Sequence, residues 1–255
     1  MKITILQKPG HFTAKEFNSN LENALRTLKG DLSSTIKLDG FSKKGLARIA
    51  ITGDDSEVIS ELVARELGQA QTELAEVELQ GVYEGIIAGE MSDGVEVDIG
   101  IDRPRPANVK IGVGALRAQL ADGKSMGLNE IIRDYCLYSG SKASVRVTRL
   151  ELGRVDIRGW FADSHIEGLS SWISGSLDRI QIFDCFQQEA ESAIRKTNIE
   201  RDIVAVEPLT LTAQSVVCKL GTDAVGLIPK LGTPLRKRAL NPFIPKRILA
   251  RYRSW

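Results

Sequence analysis

The stretch that decides the fold runs Val82-Tyr83-Glu84-Gly85-Ile86-Ile87-Ala88-Gly89, turns at Ser92-Asp93-Gly94, and returns as Val95-Glu96-Val97-Asp98-Ile99-Gly100-Ile101-Asp102. Valine and isoleucine alternate with acidic residues at period two, the pattern of a strand with one buried and one wet face, and Asp-Gly marks a tight hairpin turn. A second alternating pair follows around Gly153: Ala143-Ser144-Val145-Arg146-Val147-Thr148-Arg149-Leu150 and Val155-Asp156-Ile157-Arg158. Together they read as a small β-barrel filling residues 76–162. Between the two pairs, Asn108 to Gly140 reads as a helical insertion, with short helices at Leu116 to Leu120 and Asn129 to Tyr135.

Residues 1–75 precede the barrel as a module of alternating strand and helix signals. Lys2 to Gln7 is a short strand, and Pro9-Gly10 a turn. Thr13-Ala14-Lys15-Glu16 has the capping-box pattern of a helix start, after which Phe17, Leu21, Leu25 and Leu28 recur at helical spacing. Strands at Thr35 to Leu38 and Leu46 to Thr52 flank the turn Lys43-Lys44-Gly45. A second helix is expected from Asp54-Asp55-Ser56-Glu57 to Gly68. The order βαββα implies a ferredoxin-like module with its helices on one sheet face. Gln69 to Glu78 reads as a linker, with continuation as a strand as the alternative.

Residues 163–233 are again α/β. A helical turn at Ile166 to Ile173 leads to a strand at Arg179 to Phe183 and a helix through Phe186, Ala190 and Ile194, with Asp184 as its cap. Strands are expected at Asp202 to Glu207, Leu209 to Lys219 and Val225 to Ile228. One internal echo joins Ile99-Gly100-Ile101-Asp102 and Lys110-Ile111-Gly112 to Leu220-Gly221-Thr222-Asp223 and Lys230-Leu231-Gly232. The fold class is therefore α+β, in three modules.

Few residues announce chemistry. Cys136, Cys185 and Cys218 are far apart and lack metal-ligand spacing, and His11 and His165 are the only histidines, so neither a metal centre nor a cofactor is expected. Ile111 to Arg117 lacks the third glycine of a dinucleotide fingerprint. Asp122-Gly123-Lys124-Ser125 has Ala118 where a phosphate-cradling loop needs glycine. Asp98, Asp102 and Asp223 could gather a metal only if two distant turns met. No apolar run is long enough to span a membrane, so a cytoplasmic protein is expected.

Charge is sorted along the chain. The net charge is +1, yet none of the 33 acids follows Asp223, while eight of the 34 bases do. The remaining 26 bases against 33 acids give the body a charge of −7, and residues 224–255 carry +8. Residues 234–255 read as a basic tail, interleaving cations with Phe243, Tyr252 and Trp255. Guanidinium groups pair with phosphates and aromatic rings stack on bases, so the tail implies an RNA partner, with docking of the tail on its own acidic body as the alternative. The candidate contacts are Lys230, Arg236, Lys237, Arg238, Lys246, Arg247, Arg251, Tyr252, Arg253 and Trp255, joined by Arg103, Arg105 and Lys110 of the barrel.

Through Glu84-Gly85-Ile86-Ile87, Gly94 to Gly100 and Val145-Arg146-Val147, the central module resembles an S1-type RNA-binding domain, an oligonucleotide-binding (OB) barrel. In that family an aromatic residue follows the hairpin glycine; here Val95 and Glu96 stand instead. Through Val217 to Lys230 and Leu116 to Lys124, the chain resembles an archaeal family known as domain of unknown function 2110. The resemblances imply an archaeal cytoplasmic protein and supply no activity. The reading that follows is a non-catalytic RNA-binding protein of translation or RNA metabolism, ribosome-associated. A protein-interaction adaptor and a metal-dependent nuclease or hydrolase are the alternatives.

Overall fold

A computed structural model describes residues 1–252 except Leu152 and Lys237, and for Tyr252 the backbone alone. The described residues form a mixed α+β protein of eight α-helices and twelve strands in three sheets.

The first unit comprises β1 (Lys2–Thr4), α1 (Ala14–Lys29), β2 (Ser34–Phe41), β3 (Ala47–Gly53) and α2 (Ser56–Leu67). The predicted capping box is present: the Glu16 amide donates to Thr13 Oγ1 (3.3 Å) and the Thr13 amide to Glu16 Oε2 (3.0 Å). Both atoms satisfy backbone donors that a helix start otherwise leaves open. Phe17, Leu21 and Leu25 of α1 meet Ile49 and Ile51 of β3 and Ile59 and Val63 of α2 in one core. The sheet order is β1-β3-β2, antiparallel throughout. Past α2 the chain returns along β1, where Leu6 N–H donates to Gly68 O (3.0 Å) and Ala70 N–H to Thr4 O (2.9 Å). Residues 68–70, at the start of the segment expected as linker or continuing strand, thus take a fourth strand position.

The centre is a closed ring of five strands: β4 (Val82–Met91), β5 (Gly94–Asp98), β6 (Val109–Gly112), β7 (Lys142–Glu151) and β8 (Asp156–Phe161), in the order β4-β5-β6-β8-β7 with β7 returning to β4. All pairings are antiparallel except β6 with β8. Ile87, Val95, Val97, Val109, Ile111, Val145, Val147 and Ile157 fill the interior, the apolar phase of each alternating strand. Gly94 is required where β5 crosses β6, because a Cβ there would lie 2.0 Å from Ile111 O. The expected insertion therefore starts later than Asn108: Val109 to Gly112 is a ring strand, and α3 (Val113–Leu120) and α4 (Leu128–Asp134) follow it.

The third unit follows α5 (Asp163–Gly175), whose Leu169 packs into the ring's core cluster. It comprises β9 (Arg179–Phe183), α6 (Gln187–Lys196), β10 (Ile203–Thr210), β11 (Ala213–Cys218), α7 (Ala224–Gly232), β12 (Ala239–Phe243) and α8 (Pro245–Tyr252), with sheet order β10-β11-β9-β12. This is the arrangement of the first unit repeated, with a full fourth strand. The echo read from the glycine turns is not that repeat, since its first copy lies in the ring and its second at a helix start.

Three local expectations change. Val225 to Ile228 lies in helix α7, because the Asp223 carboxylate accepts the amides of Val225 (3.0 Å) and Gly226 (3.2 Å), and Ala224, Leu227 and Leu231 are buried along one face. A short apolar run is ambiguous between strand and helix until such a cap decides it. At α6 the cap is supplied by Glu189, which accepts the Phe186 amide (2.9 Å), while Asp184 faces His11 at 3.6 Å. Finally, residues 234–255, expected as a tail, supply β12 and α8. Pro242 is accommodated because β12 is an edge strand, with no further strand among the described residues to claim an amide hydrogen.

Candidate nucleic-acid interface

On the outer surface of the ring, β6, β8 and β7 lie side by side. The register sets Lys110 opposite Arg158, Arg158 opposite Arg149, and Trp160 opposite Arg146. Strand β8 alternates buried Ile157, Gly159 and Phe161 with outward Asp156, Arg158 and Trp160, so the tryptophan occupies the wet phase and stays 46% exposed. Next to it runs a groove of about 390 Å³, lined by Lys110, Gly112, Thr148, Arg149, Arg158 and Trp160.

Carboxylates hold the cations in place without burying them. Asp156 accepts from Lys110 Nζ (3.0 Å) and from Arg158 Nε (3.2 Å), and the Lys110 hydrogen bond is the main reason its carboxyl titrates below the usual range. Arg149 pairs with Glu151, and Arg146 Nη2 lies 3.0 Å from Asp163. Such exposed pairs are worth little in water, so a phosphate can compete for the same N–H groups. Val95, at the position where the resembled family carries an aromatic, is fully buried; Glu96 faces outward beside Lys110 and accepts from Asn108 Nδ2 (2.9 Å).

The expected contacts do not form one stripe. Lys110 belongs to the groove. Arg103 pairs with Glu73, and Arg105 donates to the Arg154 carbonyl, both on loops near the ring. Arg238 is drawn inward: it lies 3.1 Å from Glu189 and its guanidinium sits 4.8 Å over the Phe12 ring. Asp134, 2% exposed at the end of α4, takes Arg251 at 2.9 Å and Arg247 at 4.0 Å, and Ile248 between them is buried. Lys230, Arg236 and Lys246 are exposed. Lys237, Arg253, Trp255 and the Tyr252 side chain lie outside the described residues. Much of the basic excess thus neutralises the acidic body, binding β12 and α8 to it.

The reading from sequence missed Trp160, Arg146, Arg149 and Arg158. The signal was available in Asp156-Ile157-Arg158-Gly159-Trp160-Phe161, where period two assigns the tryptophan to the polar face. Asp98, Asp102 and Asp223 have separate work: Asp98 accepts from Lys44, Asp102 from the Lys43 amide, and Asp223 caps α7. Among the described residues, no three His, Cys, Asp or Glu side chains are grouped to hold a metal ion, and no helix is long and apolar enough to cross a membrane. The thiols are buried, which raises Cys185 and Cys218 to about 12 and Cys136 further.

The family model of the DUF2110 C-terminal domain matches residues 177–241, which span the third sheet from β9 into β12. No curated protein matches the chain.

Proposed function

We propose that the protein is a non-catalytic RNA-binding protein that holds a single-stranded segment across β6, β8 and β7. Trp160 stacks a base, and Lys110, Arg149 and Arg158 take the neighbouring phosphates. The observation that carries this reading is the exposed indole set among four cations on consecutive strands. Aromatic platforms flanked by Lys and Arg suit unstacked bases, because every base has a face to stack and every nucleotide a phosphate. The ring order supports the reading as well: five strands with the third and fifth parallel match the oligonucleotide-binding barrel, of which the S1 domain is one form. The strand orders of the two flanking sheets support a ferredoxin-like reading of those units. Membership of the archaeal 2110 family along the whole chain, a cytoplasmic location, and a place in translation or RNA metabolism on the ribosome belong to the same proposal.

A labelled single-stranded RNA titrated by fluorescence anisotropy tests it. Base stacking contributes about 1–3 kcal/mol, so Trp160→Ala should weaken binding roughly five- to 150-fold. Equal affinity of variant and wild type would overturn the assignment. Deleting residues 234–255 is a poor test, since it removes a strand and a helix.

A second reading rests on one observation. Val82 is 49% exposed in register with Arg146 and thus in line with Trp160, and Leu79, three residues before it, is 59% exposed. This apolar row fits an adaptor that docks a protein. Partner capture that survives nuclease treatment and is lost on Val82→Asp, with RNA affinity unchanged, would favour it.

A further inference from the structure

Under α5, between the outer face of the ring and the third sheet, lies a second cavity of about 290 Å³. Glu84 of β4, Ser144 of β7, His165 and Trp172 of α5, and Gln181 of β9 line it. Three of these residues present a buried polar atom with no hydrogen-bond partner: Glu84 Oε2, His165 Nε2 and Gln181 Oε1. Gln181 is 3% exposed. Buried polar atoms are rarely left unpaired, and three around one cavity mark a place where something supplies hydrogen-bond partners.

The surroundings hold these atoms still. Ser144 donates its hydroxyl to Glu84 Oε1, and Lys142 Nζ lies 3.2 Å from Oε2, balancing the charge without a directed hydrogen bond. His165 lies against the Phe161 ring, centroids 4.5 Å apart. Burial pushes its pKa down to about 4, against the pull of Glu84, so the imidazole is neutral near pH 7. Arg179 sits 4.5 Å over the Trp172 ring, and Phe243 meets that ring edge-on. A rigid aromatic wall faces a set of unpaired polar atoms, a preorganised arrangement.

The volume is at the small end for ligand sites, large enough for a base or nucleoside and too small for an oligonucleotide. A carboxylate oxygen and an amide oxygen call for N–H donors, and the neutral imidazole nitrogen accepts or donates according to its tautomer, so a flat body carrying N–H groups fits. We propose that this cavity is a small-molecule site for a nucleobase or nucleoside carrying an exocyclic amino group.

Free nucleosides test the cavity apart from the RNA contact on β6, β8 and β7. The full chain is titrated with adenosine, guanosine, cytidine and uridine by saturation-transfer NMR and calorimetry. Saturable binding by at least one amino-bearing nucleoside, with uridine about tenfold weaker, is expected, because uridine lacks the amino donor. Gln181→Leu keeps the shape and removes an unpaired acceptor. It should fold with a melting temperature equal to or above wild type while losing about tenfold in nucleoside affinity. Absence of saturable binding by every nucleoside, equal binding of uridine, or equal affinity in Gln181→Leu would each overturn the assignment. Any of these would leave the Trp160 titration standing.

Discussion

Replacing Lys44 by methionine removes the strongest polar link between the first unit and the ring. The residue sits in the turn between β2 and β3, yet its ammonium reaches across to donate to Asp98 Oδ1 (2.6 Å), Ala107 O (2.7 Å) and Asn108 Oδ1 (2.8 Å). All three ammonium hydrogens are used, and the two charged side chains are only 12% and 9% exposed. Methionine preserves the length of the stem but strands the Asp98 carboxylate, which keeps a single backbone partner, the Gly100 amide at 2.9 Å. Breaking a buried pair from one side costs about 3–5 kcal/mol, and the surviving Gly100 bond sets the expectation near the lower end, about 3 kcal/mol. For a chain of this size that is a fall in melting temperature of roughly 6–12 °C. Urea denaturation and calorimetry measure it. Adding Asp98→Asn to the variant removes the stranded charge and should recover part of the loss, since neutralising both partners is far milder than removing one. A single variant within about 1 kcal/mol of wild type would refute the reasoning, because buried charge pairs do not come apart that cheaply.

Protonation of His165 gives a second expectation. Its pKa is about 4 in the folded chain, chiefly through burial, against about 6.5 when unfolded, so the unfolded state takes up the proton first as pH falls. Stability is full above pH 6.5 and declines between pH 6.5 and 4 by about 3 kcal/mol, a slope that His165→Gln should flatten in urea titrations across that range. Asp134→Asn removes the charge that Arg247 and Arg251 share, and should destabilise by about 2 kcal/mol. Limited trypsin digestion should then cut faster after Arg247 and Arg251; an unchanged rate would show that α8 is held by Ile248 and its neighbours alone. In the RNA titration, Lys110→Ala and Arg158→Ala should each lower the salt slope by about 0.7, one phosphate contact on a single strand, and an unchanged slope would remove that residue from the contact.

Period and local turn chemistry were enough to find the parts. Alternation at Val95 to Asp98 and Ala143 to Leu150 marked ring strands, the Thr13 and Glu16 box marked the start of α1, and the order of elements gave the α+β class. These signals are short-range, written in residues two to four positions apart. Partnership across the chain was not legible. Lys43-Lys44-Gly45 reads as a wet turn, and only the fold brings Lys44 against Asp98; Ala239 to Phe243 looks like part of a tail, and only pairing with Arg179 to Phe183 makes it a strand. The site divides the same way. Sequence showed where cations are dense, but tertiary structure decides which are spent: Arg238, Arg247 and Arg251 turn inward to carboxylates far away in the chain. Lys110, Arg149 and Arg158 gather beside Trp160 because a parallel pairing joins strands more than forty residues apart. Period two is enough to put the indole in the wet phase, a signal the sequence reading passed over, while the cations beside it depend on how the ring closes, which no local pattern encodes.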